Sequence, residues 1–386
     1  MTELTKEGAH PRVALYVPSL RGGGAERSML TLAQGFAARG YTVDLVLAKA
    51  EGSYLDCVGE AVRVVDLESS RVIASLPGLV RYLRREQPVA LLSAMGHANV
   101  VAVMAKVLAR APTRIVVSEH STYTRARSDS VSWRSRVLGG LMRWAYRRAD
   151  GIVAVSSGVA DDLSRSIGLN RERISVIYNP VVTNELIAQS FADTDHPWLA
   201  EKRFPVVLAV GRLTKAKDFP TLIQAFAQVR KLRDVRLVIL GEGELRAELT
   251  ELVNRLSLDE DVDLPGFVEN PFPFMRQSDL FVLSSAWEGL PSVLIQAMAC
   301  GAPVVATDCP SGPAEILEGG RWGRLVPVGD ADGLARAISA ALDDPCPPDV
   351  SVRAASFNLD NSLDAYQEAL FPEASATHPA TDSSVC

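Results

Sequence analysis

The chain has 386 residues, 47% of them hydrophobic and 22% charged, and its net charge is −6. This length favours two domains, and no apolar run reaches the roughly 18 residues of a membrane span, since Lys106 interrupts even VVAVMAKVLA. The acidic balance and the absence of an aromatic RNA-binding signature argue against a nucleic-acid partner.

The N-terminal segment MTELTKEGAHPR is polar and lacks a basic stretch followed by an apolar one, so we expect no export signal and a cytoplasmic location. The cysteines are scattered and form no C-x-x-C pair, which argues against a disulfide framework and against a zinc site. They are Cys57, Cys300, Cys309, Cys346 and Cys386.

Apolar runs of strand length alternate with helical patterns through the first half of the chain, which is typical of a parallel sheet covered by helices. We therefore predict a doubly wound α/β domain. Its strands are predicted at VALYV (Val13), TVDLVLA (Thr42), VRVVDL (Val62), ALLSA (Ala90), RIVVSE (Arg114), GIVAVS (Gly151) and ISVIYN (Ile174).

The loop after the first strand contains three glycines, Gly22, Gly23 and Gly24, and the helix that follows has Glu26 in its first turn. Loops after strands hold the ligands of open parallel sheets, and glycines let backbone N–H groups approach a phosphate at a helix N-terminus. The loop matches neither G-x-G-x-x-G, because Arg27 replaces the third glycine, nor the Walker pattern. A tight turn without a ligand is a serious alternative.

Glu119 is the last residue of the predicted strand RIVVSE, and His120 follows it directly. A lone histidine is more often a structural residue than a catalyst. The position at a strand end makes His120 a candidate for the site.

Charge divides the chain, since residues through Pro180 contain 24 Lys and Arg against 16 Asp and Glu, and the remainder contains 16 against 30. A basic half joined to an acidic half indicates two separately folding units. In the segment Trp133 to Asp150, five arginines are interleaved with Leu138, Leu141, Met142, Trp144 and Tyr146. This pattern fits a solvated basic helix face and contact with a membrane surface equally well.

The same alternation of strands and helices restarts in the second half, after a Pro-containing segment of weak periodicity. We predict a first domain at 1–182, a linker at 183–204, a second doubly wound domain at 205–350, one amphipathic helix at 351–371 and a disordered tail at 372–386. The second domain's strands are predicted at PVVLAVG (Pro205), RLVILG (Arg236), VDLPG (Val262), LFVLSS (Leu280) and PVVAT (Pro303).

Arg212 and Lys217 follow the strand PVVLAVG directly. Two cations on one loop can hold a diphosphate, the arginine as a planar fork and the lysine as a point charge. A solvated basic loop would have the same local sequence, but a loop that follows an apolar parallel strand lies at the ligand edge of the sheet.

The segment WEGLPSVLIQAM follows the strand LFVLSS. The carboxylate of Glu288 can accept hydrogen bonds from two vicinal hydroxyls, and the N–H groups of Gly289 and Leu290 are expected to be unpaired. Pro291 suits the first position of a helix, and Gln296 lies about 7.5 Å further along its axis. This separation suits one ligand that is contacted at two points.

The sequence lacks the motifs of several other kinds of active site. It has no G-x-S-x-G, no H-E-x-x-H and no His/Cys cluster at ligand spacing. The acidic segment DEDVD and the pair Asp330 and Asp332 are interpreted as caps and turn residues. We therefore expect a site that works without a metal ion.

These motifs in this order identify a family resemblance that extends from about Arg12 to Leu370. The chain resembles the retaining, GT-B-fold glycosyltransferases of family 4, which use nucleotide sugars. The resemblance implies two Rossmann-like domains that face each other across a cleft, with a C-terminal helix crossing back to the first domain. It rests on VGRLTKAKDFPTLIQAF, LVILGEGELRAELTELV, GFVENPFPFMRQSDLFVLSS and WEGLPSVLIQAMACGAPVVATDCPSGPAEIL.

The family's E-x7-E element falls on Glu288 and Gln296. The resemblance implies that Glu288, with the backbone of Gly289 and Leu290, contacts the donor sugar, and that the second position holds the ribose. Here that position is an amide, which keeps hydrogen bonding but loses the stronger charge-assisted part. We therefore predict weakened donor binding with retained activity.

The resemblance also assigns the other candidates. Arg212 and Lys217 match the pair that binds the donor diphosphate, and His120 matches a first-domain histidine near the sugar. Gly22, Gly23 and Gly24 match the loop that closes over the donor and borders the acceptor.

The function implied is transfer of a hexose or N-acetylhexosamine from a nucleotide sugar to a lipid-linked or polysaccharide acceptor in cell-surface glycan synthesis. A UDP-linked donor is favoured, and a GDP-sugar is the alternative. The donor is a co-substrate, and no separate cofactor is expected. Peripheral contact with the cytoplasmic face of the inner membrane would fit such an acceptor. Two alternatives are a nucleotide-sugar 2-epimerase of the same fold and a degenerate nucleotide-sugar-binding module.

Overall fold

The computed structural model describes residues 11–122 and 133–372. The chain divides into two compact units. Within the described residues, the first contains 11–155, 159–180 and 359–372, and the second contains 156–158 and 181–358. Apart from residue 372, the tail that the sequence predicts to be disordered lies outside the described residues.

With the exception of the last strand, the strands occur where apolar runs predict them. They are β1 (Arg12–Val17), β2 (Thr42–Leu47), β3 (Val62–Asp66), β4 (Ala90–Ala94), β5 (Arg114–Glu119), β6 (Gly151–Ala154), β7 (Ile174–Val176), β8 (Val206–Val210), β9 (Arg236–Leu240), β10 (Val262–Gly266), β11 (Leu280–Leu283), β12 (Val304–Thr307) and β13 (Arg324–Val326).

Helices connect most of these strands, and within the described part of the chain none is long and apolar enough to cross a bilayer. They are α1 (Gly24–Ala38), α2 (Leu76–Glu86), α3 (Gly96–Ala109), α4 (Trp133–Arg148), α5 (Ser157–Ile167), α6 (Asn184–Gln189), α7 (Pro197–Glu201), α8 (Phe219–Arg230), α9 (Arg246–Arg255), α10 (Phe272–Gln277), α11 (Ser292–Ala299), α12 (Pro313–Ile316), α13 (Ala331–Leu342), α14 (Val350–Ala354) and α15 (Leu359–Leu370).

The first unit is built on a parallel sheet in the order β3-β2-β1-β4-β5-β6-β7. Leu15 of β1 is paired with Leu45 and Leu92 on its two sides, and all three side chains are fully buried. Strands buried on both faces are apolar throughout, which explains why the sequence showed them clearly. The C-terminal helix α15 packs on α1 in this unit, as predicted, with Leu363 against Gly35.

The second unit contains a parallel sheet in the order β10-β9-β8-β11-β12-β13. The two doubly wound sheets confirm the predicted fold class. From β8 the chain adds β9 and β10 on one side and then β11, β12 and β13 on the other, so the strand order switches between β8 and β11. Ligands of such sheets bind at this switch point, outside the carboxyl ends of the strands. The edge strand β13 is missing from the sequence prediction because its three residues form too short an apolar run.

The segment predicted as a linker contains the helices α6 and α7. The side chain of Thr183 accepts a hydrogen bond from the N–H of Leu186, and Pro197 occupies the first turn of α7. Helices of five and six residues are too short to show a clear apolar period, so the sequence pattern missed them.

The single helix predicted over 351–371 is wrong, because α14 and α15 are separate helices. Between them, the carbonyl of Phe357 accepts hydrogen bonds from the N–H groups of Val181 and Val182, each at 3.0 Å, and Asn358 is extended with ψ 165°. These contacts come from a distant part of the chain, whereas the amphipathic pattern continues across the break.

The basic helix α4 places its apolar residues toward the core. Met142, Ala145 and Tyr146 are buried, whereas Arg147 and Arg148 are exposed. The guanidinium of Arg148 lies 4.8 Å from the ring centroid of its neighbour in the helix, a tryptophan. This part of α4 therefore matches the interpretation as a solvated basic face; the side chain of the helix's earlier leucine, at position 138, lies outside the described residues.

Candidate active site

Two loops that carry five of the ten predicted site residues meet at the switch point of the second unit. The loop after β8 contains Arg212 and Lys217, and the loop after β11 contains Glu288. The N–H of Ala286 donates to the carbonyl of Ala216 at 2.8 Å, and a serine hydroxyl at the end of β11 donates to the carbonyl of Lys217 at 2.7 Å. The backbones of the loops are thus held together before any ligand binds.

Lys217 and Glu288 form an ion pair, with Nζ 2.5 Å from Oε1. The hydroxyl of Ser285 donates to the same carboxylate oxygen at 2.7 Å. Both side chains are largely shielded, with 19% of Lys217 and 14% of Glu288 exposed. Because both donors use Oε1, the second oxygen, which has no hydrogen bond within the described residues, is left to accept from a ligand hydroxyl.

Arg212 extends from the same loop into solvent. Its backbone is fixed by its neighbours, since Thr214 donates to the carbonyl of Arg212 at 2.8 Å and Leu213 donates to Glu242 at 2.9 Å. Within the described residues, the guanidinium makes no ion pair or hydrogen bond. The loop after β8 therefore carries one cation without a charged partner among the described residues, Arg212, in addition to Lys217, whose charge is paired with Glu288. An unpaired guanidinium favours an anionic ligand group.

The peptide between Gly289 and Leu290 is oriented by two hydroxyls. Its carbonyl accepts hydrogen bonds from Ser311 at 2.8 Å and from Ser156 at 2.9 Å, and both serines belong to the second unit. In a trans peptide the N–H points away from the carbonyl, so the Leu290 N–H is directed to the opposite side. Neither serine was identified from the sequence, although Ser311 follows β12 at the same sheet edge.

A glycine after β12 permits this arrangement. Gly312 has φ +96°, and a Cβ on it would lie 2.3 Å from a side-chain carbon of Pro291. Any other residue would push the loops after β11 and β12 apart, so the glycine is required for the Gly289 contacts.

Gln296 lies on α11, which begins at Ser292, one residue after the predicted start at Pro291. The side chain is half-buried, and within the described residues its amide has no hydrogen-bond partner. No local structural contact therefore accounts for this polar side chain, which agrees with a role toward a ligand.

Cys309 is buried near this site. Burial, and then the carboxylate of Glu288, raise the pKa of its thiol to about 12. Burial also raises the pKa of Cys300 to about 11. Neither thiol is ionised near neutral pH, so neither is a nucleophile here.

The acidic residue Asp330 is a helix cap, as predicted, because its side chain accepts from the N–H of Gly333 at 2.8 Å. In the chain as far as the structure describes it, no group of three or more His, Cys, Asp or Glu residues could hold a metal ion.

The glycine loop of the first unit is closed on itself. The N–H groups of Gly22 and Gly23 each donate to Oε2 of Glu26 at 2.9 Å, and Ser19 donates to Oε1 at 3.1 Å. Gly22 has φ +109°, and Gly24 begins α1. The N–H groups of Gly22 and Gly23, which were expected to bind a phosphate, thus bind the carboxylate of Glu26. This arrangement is the one expected for a tight turn without a ligand. A role of this loop in donor binding stays a prediction.

His120 follows β5 in the first unit, where Nε2 lies 3.2 Å from the Ser118 hydroxyl, itself 3.2 Å from the hydroxyl of Tyr366. Nδ1 is buried without a partner among the described residues. Burial lowers the pKa of His120 to about 4, so the ring is neutral at physiological pH. A neutral ring with one unengaged nitrogen can bind a hydroxyl.

The neighbouring Glu119 is a buried acid whose place at the strand end was predicted from the sequence without a role. Tyr146 donates to its carboxylate, and the amide of Asn99 lies 3.3 Å from the same oxygen. Burial, with a smaller contribution from Asp162, raises the pKa of Glu119 to about 7.

Glu119→Gln should therefore change how stability depends on pH. The folded pKa of about 7 exceeds the ordinary value of 4.5, so the contribution of Glu119 is fully present below pH 4.5 and is lost as the pH rises through 7. The glutamine mimics the protonated acid, and we expect the variant to be up to about 3 kcal/mol more stable than wild type at high pH and equal to it at low pH. Denaturant unfolding at about pH 4 and about pH 8 measures this difference, and an equal stability difference between the two proteins at both pH values would contradict it.

Models of two glycosyltransferase families match different parts of the chain. Residues 22–185 match the model of Glycosyltransferase Family 4, and residues 204–344 match that of Glycosyl transferases group 1. The two matches together cover most of both units and include every residue of the candidate site.

Two curated relatives align over most of the chain. The lipopolysaccharide core biosynthesis glycosyltransferase LpsE of Rhizobium meliloti is 31% identical, with 83% of this chain and 86% of the relative covered. The N-acetylgalactosamine-N,N'-diacetylbacillosaminyl-diphospho-undecaprenol 4-alpha-N-acetylgalactosaminyltransferase of Campylobacter jejuni is 29% identical, with 86% of this chain and 90% of the relative covered.

Among solved structures, Anabaena Alr3699/HepE in complex with UDP aligns with a TM-score of 0.71 at 22% identity, covering 93% of this chain and 95% of that one. At this identity the likeness shows the fold, which is GT-B. The sequence match to LpsE and the two family models carry the assignment further: the chain belongs to the group 1, family 4 glycosyltransferases.

Proposed function

We propose that this glycosyltransferase moves a hexose or N-acetylhexosamine from a UDP-sugar to a lipid-linked or polysaccharide acceptor, with retention of the anomeric configuration. The proposal that the site binds the donor rests on the arrangement of Arg212, Lys217 and Glu288 at the switch point of the second unit. Cations for a diphosphate and a carboxylate oxygen for sugar hydroxyls lie there on two adjoining loops.

The diphosphate would be held by Arg212 and Lys217. Lys217 is positioned by Glu288 at 2.5 Å, whereas Arg212 has its whole guanidinium available for phosphate oxygens. These cations lie where negative charge grows as the sugar–phosphate bond breaks, and such preorganised charge is commonly the largest contribution to catalysis.

The sugar would be held by Glu288 Oε2 and by the N–H of Leu290, which the serine contacts of Gly289 direct away from the core. Transfer breaks the bond between C1 and the diphosphate oxygen and forms one between C1 and an acceptor oxygen. We propose attack on the face that the leaving group vacates. The departing phosphate oxygen then takes the acceptor's proton, and no protein nucleophile is needed.

The acceptor class is inferred from the names of two relatives. One name gives a diphospho-undecaprenol-linked saccharide as the acceptor, and the other places its protein in lipopolysaccharide core biosynthesis. UDP is the proposed nucleotide because the structural neighbour Alr3699/HepE was solved with UDP and with UDP-glucose. A GDP-sugar is the alternative donor. Part of the loop proposed to select the acceptor, 123–132, lies outside the described residues.

A panel of UDP- and GDP-sugars, read by the released nucleoside diphosphate, tests the proposal with wild-type protein and Glu288→Ala side by side. We expect slow release from one UDP-sugar without acceptor and faster release with a polyprenyl-diphosphate saccharide, and neither in the variant. Release that needs no acceptor and yields an epimerised sugar would instead establish a 2-epimerase. Binding without any hydrolysis would establish a binding module.

Gln296→Glu should strengthen donor binding. A carboxylate at this position would make charge-assisted hydrogen bonds to the ribose, which are about twice as strong as neutral ones, and the half-buried amide has no local partner to lose among the described residues. We expect a severalfold lower Kd for the UDP-sugar by calorimetry. A weaker affinity in the variant would contradict the assignment of Gln296 to the ribose.

A further inference from the structure

A hydrogen-bonded series of side chains joins the C-terminal helix α15 to His120 inside the first unit. The hydroxyl of Tyr366, on α15, lies 3.2 Å from the hydroxyl of Ser118, and that hydroxyl lies 3.2 Å from Nε2 of His120. Ser118 belongs to β5, and His120 follows two residues later, so the alternation of side chains places both on the face that Tyr366 contacts. We call Tyr366, Ser118 and His120 the hydroxyl relay.

The packing of the first unit fixes the two hydroxyls of the relay. Tyr366 is fully buried in the apolar core of this unit. The guanidinium of Arg114 donates to the carbonyl of Ala369 at 2.9 Å, which holds α15 against the start of β5. Ser118 is also fully buried, and its carbonyl accepts from the amide of Asn99 at 2.9 Å. The helix and the strand therefore keep the two hydroxyls in contact.

The relay contains more protons than acceptors. Each hydroxyl carries one proton, and the neutral ring of His120 carries another. Among the described residues, the hydroxyls of Tyr366 and Ser118 have no hydrogen-bond partner outside the relay. The two contacts of the relay therefore satisfy two of its donors, and the third donor lacks an acceptor. A buried donor without an acceptor is costly.

An acceptor from outside the protein can reach only the His120 end of the relay. Tyr366 and Ser118 are 0% exposed, whereas His120 lies beyond the strand and is partly exposed. In the favourable arrangement, Tyr366 donates to Ser118, and Ser118 donates to Nε2. Burial raises the pKa of Tyr366 to about 12, so its proton is present at neutral pH. Because Nε2 accepts, the proton of the neutral ring lies on Nδ1.

Nδ1 of His120 has no partner among the described residues, and it lies at the carboxyl end of β5, the edge at which parallel sheets bind ligands. We propose that Tyr366 and Ser118 are positioning residues that hold His120 as its Nδ1–H tautomer, and that this N–H donates to a hydroxyl oxygen of the transferred sugar. The sugar contact rests on the proposed function, whereas the tautomer follows from the first unit alone. With its proton on Nε2, the ring would present a lone pair to the sugar instead of a donor.

Nuclear magnetic resonance of the free protein measures the tautomer without donor or acceptor. In the full chain with isotope-labelled histidine, the chemical shifts of the ring nitrogens show which one carries the proton. His120→Gln identifies the signals of His120 among those of the five histidines. We expect the wild-type proton on Nδ1 at neutral pH. Ser118→Ala should move it to Nε2, because no donor then faces this nitrogen, and Tyr366→Phe should move it in part of the molecules.

The matched control is Tyr16→Phe. Tyr16 is another fully buried tyrosine of the first unit, and its hydroxyl lies 2.6 Å from a serine hydroxyl, that of Ser75. Tyr16→Phe should leave the tautomer and the turnover unchanged, and it should lose about as much thermal stability as Tyr366→Phe.

Turnover shows whether the relay acts through His120. Tyr366→Phe and Ser118→Ala should each lower kcat/KM by about twofold to tenfold, the effect of one weakened hydrogen bond. In the His120→Ala background, neither should lower turnover further, a result that a purely structural role would not produce.

Several results would overturn the proposal: a wild-type proton on Nε2, an unchanged tautomer in Ser118→Ala, equal turnover of Tyr16→Phe and Tyr366→Phe, or a further loss of turnover in the His120→Ala background. A wild type that releases no nucleotide from any sugar donor would overturn the proposed function and, with it, the sugar contact. The resonance measurement would still decide the tautomer, so the two failures are distinguishable.

Discussion

Replacing Lys217 by alanine should lower kcat by about a hundredfold to a thousandfold, the usual effect of removing one preorganised charge from a developing anion. Lys217 is 19% exposed and lies 2.5 Å from Glu288, so its ammonium is held in place at the carboxyl end of β8. Released UDP at saturating donor measures the effect. Lys217→Arg should restore part of the rate, because it returns the charge with a different shape.

The control for this prediction lies on the same loop. Lys215 is exposed and has no partner in the described part of the chain, and Lys215→Ala should retain wild-type kcat. Thermal unfolding of Lys217→Ala separates loss of catalysis from loss of the ion pair with Glu288. Near-normal turnover by a folded Lys217→Ala protein would remove the lysine from the diphosphate site.

Replacing Glu288 by alanine should lower kcat/KM by about a hundredfold or more, because truncating one member of a shielded charge pair costs about 2–5 kcal/mol. The loss has two parts. The sugar loses the carboxylate oxygen that Ser285 and Lys217 leave open, and Lys217 loses the partner that positions it. Glu288→Gln keeps the shape and should lose less.

A deoxy-sugar donor separates the two parts. If Glu288 binds a sugar hydroxyl, removal of that hydroxyl should slow the wild type and have no further effect on Glu288→Ala, as a double-mutant cycle requires. Glu251→Gln, at an exposed position of α9, serves as the control and should be unaffected. Equal slowing of wild type and variant by the deoxy donor would show that the carboxylate acts elsewhere.

The amino-acid sequence predicts every strand of the two sheets except β13, and with them the loops that follow the strands. Strands buried on both faces are continuous apolar runs, so the positions of Arg212, Lys217 and Glu288 after strand ends could be predicted from the apolar pattern alone. Their side-by-side placement follows from the order β9-β8-β11 of the sheet. That order depends on contacts between strands far apart in sequence, which local periodicity does not record.

The contacts that complete these elements depend on tertiary structure. The hydroxyls of Ser311 and Ser156 orient the Gly289 peptide from residues 22 and 133 positions away, and Phe357 ends a helical segment through bonds to Val181 and Val182. Local sequence patterns specify most of the helices and strands because these elements depend on neighbouring residues, whereas the site depends on which distant side chains the fold brings together.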